Sequence, residues 1–258
     1  MANTIVSIII PVHNKSEYLA ETVDSVLAQD YSDFEVIFID DASSDGSAEI
    51  IKTYLNDPKG AVLRGIFISP GENAGAAEAR NIGLRAANGR YIAFLDADDL
   101  WDKNKLSAQI SFMRENNYSF TFTDYEYMDK HGRRTGIVTR IPKSITYKQA
   151  LKNTVIFTST VMFDTEIIDK NDILMKNVPY EDTATWWYIL KKYGPAYGVR
   201  ENLVRYRRGG KTLSSNKFTA ALRAWNLYRR VEGFGVFTGA YYFCFYAFNA
   251  LLRRFPRF

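Results

Sequence analysis

Four short apolar runs in the first hundred residues, "IVSIIIP", "FEVIFID", "LRGIFIS" and "YIAFLD", alternate with amphipathic stretches, and this alternation constrains the fold more than any other feature. Runs of Ile, Val and Phe bounded by Pro or acidic turns read as buried strands. Between them, "SEYLAETVDSVLAQD" places Leu19, Val23, Val26 and Leu27 on one helical face, with Ser16 as its N-cap. "GSAEIIKTYL" and "AGAAEARNIGLRAAN" keep the same period, the latter ending before Gly89. Strand and helix alternating at this spacing predict right-handed βαβ units and a mostly parallel sheet of the α/β class. Ligands of such sheets bind beyond the carboxyl ends of the strands.

Acids gather at those ends. "YIAFLDADDLW" closes on Asp96, Asp98 and Asp99, and carboxylates this close repel unless a cation or hydrogen-bond donors compensate them. A D-x-D pair at a strand end can chelate a hard divalent cation, with diphosphate oxygens completing the shell. The plainer alternative, a solvated acidic turn, fits poorly with so apolar a strand. "VIFIDDASSDGS" sets Asp40 and Asp41 at a second strand end. They either belong to a turn in which Ser44 or Asp45 caps the next helix, or accept hydrogen bonds from a nucleobase N–H or ribose hydroxyls. In "PGENAGAAEARNIGL", Gly75 opens a helix with Arg80 one turn in, an arrangement that suits phosphate and equally a packing helix with a surface Arg. "VPYEDTATWWYILKKYG" puts Glu181 and Asp182 at the start of a helix bearing Trp186 and Trp187. Acids there complement the helix dipole, and one of them held against a Trp-rich surface could act as a general base.

After Asp99 the rhythm changes: a helix from about Lys103 to Asn116 precedes "YSFTFTDYEYMDKHGRRTG", which predicts a hairpin turning at Gly132. The rest reads as shorter α+β material packed on the first half, without a linker. The expected organisation is 1–100 and 101–216 as two halves of one domain and 217–258 as a C-terminal helical segment. The single Cys244 excludes a disulfide framework, and His13 and His131 have no zinc-site spacing. "YRRGGKTLSSNK" fails as a phosphate loop, because Arg205 stands where the first Gly is required. Arg208 and Lys211 remain as cations of a basic loop that either contacts a diphosphate or is simply solvated.

Charge is polarised along the chain. Residues 1–100 carry 7 Lys/Arg against 16 Asp/Glu, whereas from residue 201 onward 11 Lys/Arg face only Glu201 and Glu232. This end reads as facing an anion or a membrane, and nucleic acid is disfavoured because the basic residues flank an apolar-aromatic run. That run, Val236 to Leu252, has no formal charge and is preceded by Arg229 and Arg230 and followed by Arg253, Arg254 and Arg257. It sits at the lower limit for a bilayer span. Tyr and Phe with Arg at both ends suit an interfacial helix best, ahead of a helix packed on the domain or a transmembrane one. The N-terminal stretch does not read as a secretory signal, so a cytoplasmic protein is expected.

Taken together, "VSIIIPVHN", "QDYSDFEVIFIDDASSDGS", "NAGAAEARNIGL", "GRYIAFLDADD", "YEDTATWW" and "YRRGGKTLSSNK" resemble the family 2 glycosyltransferases of the GT-A fold, from residue 5 to about 217. The resemblance implies that 1–100 is a Rossmann-like, nucleotide-binding half with helices on both faces, that 101–216 is a smaller acceptor-binding and catalytic half, and that the D-x-D binds Mg²⁺ or Mn²⁺. It also implies inverting transfer of one sugar from a nucleotide-sugar donor, a UDP-sugar first, to a glycan or lipid-linked acceptor in bacterial cell-surface polysaccharide synthesis. Carried over by position, Pro11 and Asn14 border the nucleotide, Asp41 contacts the base, Asp96 approaches the ribose, Asp98 ligates the metal and Arg80 supports the donor side. Asp182 is the catalytic base, Glu181, Trp186 and Trp187 lie near the acceptor, and Arg208 and Lys211 belong to a diphosphate loop. His13 departs from the family's usual Tyr. The Q-x-x-R-W of processive synthases and multiple membrane spans are missing, which implies single-sugar addition by a protein peripheral to the inner face of the cell membrane. A sugar-1-phosphate nucleotidyltransferase would need a Gly-rich loop where "PVHNKSEYL" stands. A non-catalytic nucleotide-binding protein of a membrane assembly is the other alternative, separated from an enzyme by transfer or hydrolysis of a labelled donor.

Overall fold

The computed structural model describes residues 6–56, 64–153, 155–208 and 217–252. The apolar runs form β1 (Val6–Val12), β2 (Phe34–Asp40), β3 (Arg64–Ile68) and β4 (Tyr91–Phe94), parallel and in the order β3-β2-β1-β4. The intervening helices are α1 (Ser16–Leu27), α2 (Ser47–Asn56) and α3 (Ala76–Ala86). Side chains alternate across the sheet as a pleated strand requires. Ile8, Ile10, Val36, Phe38 and Ala93 pack with Leu19, Val23 and Val26 of α1 and Ile51 of α2. Ile9, Ile37, Ile39, Ile92 and Phe94 pack on the other face with Ala79 and Leu84 of α3. Burial on both faces is why these strands read as unbroken apolar runs.

The chain steps from β1 to β2 to β3, then returns past β1 to β4. The order therefore reverses between β1 and β4, the switch point at which such sheets open a ligand crevice. Helix α3 lies close to the strands because Gly83 has no side chain: a Cβ there would stand 2.6 Å from both Ile9 Cγ2 and Ile39 Cδ1.

One local expectation is corrected. Ser16 is the first helical residue of α1 and Lys15 occupies the N-cap without a side-chain cap bond. The capping carboxylate comes from the next loop, where Asp45 accepts the amides of Ser16 (2.9 Å) and Ser47 (3.1 Å) and the Ser47 hydroxyl (2.6 Å). A single acid thus serves the starts of α1 and α2, satisfying donors that a helix start leaves open. Burial pushes the Asp45 carboxyl up, but the hydrogen bonds from Ser47 and Ser16 outweigh it and hold the pKa at about 2.

Beyond the acids come β5 (Leu100–Trp101), α4 (Lys105–Asn116), β6 (Phe120–Met128), β7 (Arg134–Thr139), β8 (Ser144–Ile145), α5 (Tyr147–Ala150), β9 (Met162–Asp164), α6 (Glu181–Tyr193) and β10 (Ala196–Arg207). They extend the same sheet in the order β4-β9-β6-β10-β5, with β7 on β6 and β8 on β10. Here the pairing is mixed: β9 runs antiparallel to β4 and β6, while β10 is parallel to β6. The hairpin at Gly132 forms, its turn held by the Asp129 carboxylate on the amides of His131 and Arg133.

The C-terminal helices are α7 (Lys217–Asn226) and α8 (Val236–Leu252), joined by a π-helical turn over Leu227–Val231. One face of α8 packs on the core through Tyr242, Phe243 and Tyr246. The opposite face presents Phe237 (93% exposed), Tyr241, Phe245 and Phe248 (59%). Among the described residues no helix is long and apolar enough to cross a membrane.

Candidate active site

The three acids after β4 have three different partners. Asp99 is fully buried, accepting the Ser159 hydroxyl at 2.6 Å and the Arg207 amide at 3.0 Å. Burial, then the charges of Asp96 and Asp98, push its carboxyl well above the usual range. Its work is to clamp the acidic turn to the end of β10 and to the 3-10 turn over Thr158–Thr160. Asp98 takes the ammonium of Lys15, which follows β1, so the pair spans the crevice at the switch point. Asp96 accepts Nη2 of Arg80 at 2.7 Å.

Arg80 is buried, and its Nη1 donates at 2.9 Å to Glu181 Oε1, the first residue of α6. Burial alone would lower its pKa, and the carboxylates of Asp96, Asp182 and Glu181 outweigh that and raise it. The fork expected to take a phosphate is therefore committed to two carboxylates, and Arg80 joins the end of β4 to the start of α6. Asp182 beside it receives the Thr158 hydroxyl (2.9 Å) and the Thr183 amide (2.5 Å). Thr158 and Ser159, neighbours in one turn, so orient an acid on each side of the crevice.

The nucleotide-side residues border the same strand ends. Asp41 is 3% exposed, and its carboxylate accepts the amides of Ala74 (2.6 Å) and Gly75 (2.9 Å), fixing the loop before α3. Its neighbour Asp40 keeps a buried Oδ1 with no hydrogen-bond partner. Asn14 accepts the Ser44 amide at 2.8 Å, while Nδ1 of His13 donates to the Asp41 carbonyl at 2.7 Å. Pro11 is a half-buried residue of β1 opposite Ile39. Asn14, Ala42 and Tyr180 have φ of 51°, 56° and 60°, and each sits beside a candidate residue, where strained backbone tends to collect.

On the basic side, Arg207 is nearly buried and bonds the Asp98 carbonyl (2.9 Å) and Glu21 (2.7 Å). Arg208 is exposed, with its guanidinium 3.6 Å from the centre of the Tyr127 ring. Tyr127, Tyr125, Tyr206 and Phe157 form an aromatic wall beside the acids. Burial, then Asp99, Asp96 and Asp98, push the Tyr206 hydroxyl up. Lys211 lies outside the described residues.

The two tryptophans are corrected. Trp186 is 1% exposed and packs on Phe94, Phe120 and Phe163, and Trp187 is 2% exposed and stacks on Tyr228. They anchor α6 in the core, and Trp187 reaches a void of about 160 Å³ that it shares with Tyr180, Thr183, Tyr228 and Tyr246. Sequence reasoning missed Lys15, Thr158, Ser159 and Arg207, and saw Asp99 only as one of three crowded acids, not as the buried clamp. For Lys15 the available signal was a cation straight after the first strand of an acidic half. For Thr158 and Ser159 none existed, since antiparallel β9 brings them in.

Among the described residues no group of three or more His, Cys, Asp or Glu gathers to hold a metal alone. The hard oxygens of Asp98, already facing a cation, do fit a divalent ion whose other ligands come from a diphosphate.

An α/β sheet with acids at its switch point and a carboxylate facing them across the crevice has the make-up of an enzyme acting on nucleotide-activated substrates. The family model "Glycosyl transferase family 2" matches residues 7–171, and the chain belongs to that family: it is a glycosyltransferase of the GT-A fold. It is 41% identical to TuaG of Bacillus subtilis (strain 168), a glycosyltransferase assigned to teichuronic acid biosynthesis, over 97% of both chains. It is 36% identical to WfgD of Escherichia coli, a UDP-Glc:alpha-D-GlcNAc-diphosphoundecaprenol beta-1,3-glucosyltransferase, over 88% of this chain and 86% of that one. In fold it resembles S. aureus TarS 1-349 in complex with UDP-GlcNAc, with a TM-score of 0.69 at 20% identity, covering 86% of this chain and 65% of that one. The mannosyltransferase PcManGT of Pyrobaculum calidifontis, in complex with GDP-Man and Mn2+, gives a TM-score of 0.69 at 17% identity, covering 90% of this chain and 65% of that one.

Replacing Arg80 by Lys keeps the charge but not the fork that reaches two carboxylates. Arg80→Lys is expected to retain a cooperative fold by thermal unfolding, with a lower midpoint, and to lose at least about tenfold in transfer rate, since misplacing a reacting group by about 1 Å can cost 10²-fold. Wild-type turnover in this variant would contradict the bridging role.

Proposed function

We propose that the protein transfers one sugar, with inversion, from a nucleotide-sugar donor to a hydroxyl of a lipid-linked glycan in cell-surface polysaccharide synthesis. The observation that carries this reading is the Asp96–Arg80–Glu181 bridge, which makes the acidic turn and the start of α6 one rigid constellation. The nucleotide lies against Pro11, Asn14 and Asp41, whose oxygens keep lone pairs beyond the two amides they accept. Asp96 is oriented by Arg80 on the ribose side, and Arg208 and Lys211 are cations available to the diphosphate. Asp98 would hold Mg²⁺ or Mn²⁺, which when bound offsets the charge growing on the departing diphosphate.

Asp182 takes the proton of the acceptor hydroxyl as that oxygen bonds to the anomeric carbon, while the bond from that carbon to the nucleoside diphosphate breaks on the opposite side. Glu181 is committed to Arg80, which leaves Asp182, held by the Thr158 hydroxyl in the first turn of α6, as the base. The transition state is oxocarbenium-like, as in glycoside hydrolysis. A UDP-sugar is the first donor to test, given the UDP-GlcNAc complex of TarS and the UDP-Glc named for WfgD. The diphosphoundecaprenol in the WfgD name supports a lipid-linked acceptor.

That acceptor would bring the protein to the inner face of the cell membrane, with the exposed stripe of α8 as the contact. Lys152 lies 5.4 Å and 4.8 Å from the rings of Tyr241 and Phe245, placing a cation along the stripe. Such helices bind through buried apolar area plus attraction to anionic lipid.

Asp182→Asn is expected to bind nucleotide sugar within a few-fold of wild type by calorimetry and to lose roughly 10²–10⁴ in turnover, as for a missing general base. An inactive Glu181→Gln that binds donor normally, beside an active Asp182→Asn, would transfer the base role to Glu181. For the membrane contact, the full chain should float with anionic vesicles at low salt, and a variant carrying Phe237→Asp and Phe248→Asp should not. A wild-type chain left in the soluble fraction would remove the membrane from the account.

A further inference from the structure

Of the three acids at the switch point, only Asp98 has a partner able to leave. Asp96 is held by an Arg80 side chain that is 8% exposed, and Asp99 by a backbone amide and a buried hydroxyl. Lys15 is different. Its backbone is fixed, with the amide on Ser47 Oγ at 2.9 Å and the carbonyl receiving the first amides of α1, while its side chain is 35% exposed. A flexible four-carbon stem on a fixed anchor can swing its ammonium without moving the fold.

We propose that Lys15 is a resident counter-cation which occupies Asp98 until a nucleoside diphosphate accepts it, so that the divalent cation binds only together with the nucleotide. This rests on the metal-dependent reading given above. Without a cation of its own, the Asp98 carboxylate would sit uncompensated in a turn that already holds the carboxylates of Asp96 and Asp99, an arrangement that like-charge repulsion penalises. Lys15 removes that penalty in the free enzyme. A metal ion arriving alone must expel the ammonium into solvent and gains one carboxylate. A metal ion arriving with a diphosphate brings oxygens that accept the displaced ammonium, and the charges stay matched. The exchange couples the two ligands, and the coupling is reciprocal: whatever factor nucleotide adds to metal affinity, metal adds to nucleotide affinity. It also gives Lys15 a second position, on the diphosphate, reached from the loop after β1 at the mouth of the crevice.

The test is Mn²⁺ binding, followed by the paramagnetic resonance signal of the free ion, for the full-length wild type, Lys15→Gln and Lys15→Arg. Each is titrated without nucleotide, with UDP and, in a second arm, with GDP. Wild type should bind Mn²⁺ at least tenfold more tightly with nucleotide than without. Lys15→Gln should bind Mn²⁺ without nucleotide at least tenfold more tightly than wild type, with the ratio between the two conditions shrinking towards one and UDP affinity falling. Lys15→Arg, which keeps the charge, should keep the coupling. If wild type shows the coupling and Lys15→Gln matches it in both conditions, the counter-cation role is overturned and the metal reading stands. If Lys15→Gln weakens Mn²⁺ in both conditions and unfolds at a lower temperature, Lys15 is a structural tie and the proposal also fails. If wild type takes up no Mn²⁺ with either nucleotide, the metal reading itself fails, and the proposal with it.

Discussion

A single buried guanidinium holds this candidate site together. Arg80 stands one turn into α3, and its two terminal nitrogens reach Asp96 at the end of β4 and Glu181 at the start of α6. Charges this deep are tolerated only when paired and hydrogen-bonded, so removing one partner leaves the others costly. The position of α3 that makes the bridge possible comes from Gly83, one turn further along, which lets the helix settle against Ile9 and Ile39. Packing in the core thus sets the distance between the two sides of the crevice.

Asp99 does the corresponding work on the other side. With no exposure, it gathers Ser159 and the start of the basic segment at Arg207, and Ser159 in turn accepts the Asp96 amide at 3.2 Å. The acidic turn is therefore braced from both ends of the second half. Crowded carboxylates after β4 divide into one that builds, one that is bridged and one that pairs with the partly exposed Lys15.

The sheet and its helices were legible because their signal is local: continuous apolar runs in β1, β2 and β4, buried on both faces, and helical spacing in α1 to α3. The place of the acids was legible too, since those at strand ends stay at the crevice. Partners were not. Arg80 and Glu181 are separated by 101 positions, so nothing in "AGAAEARNIGL" marked its fork as already taken. Thr158 and Ser159 arrive through antiparallel β9, a pairing that short mixed elements do not announce. Trp186 and Trp187 were placed near the acceptor by family resemblance, and burial puts them in the core instead. Their helical spacing with Ile189 and Leu190 was the better guide, and burial follows it.

The central claim is that Asp96 and Glu181 act as one unit through Arg80, and a double-mutant cycle on unfolding free energy tests it most directly. Asp96→Asn, Glu181→Gln and the double variant are unfolded in urea alongside wild type. If Arg80 bridges the two acids, losing both leaves a buried, unpaired guanidinium, and the double variant should be less stable than the sum of the single losses by about 0.5–3 kcal/mol, the range for residues in one network. Additivity within about 0.3–0.5 kcal/mol, as for independent sites, would contradict it.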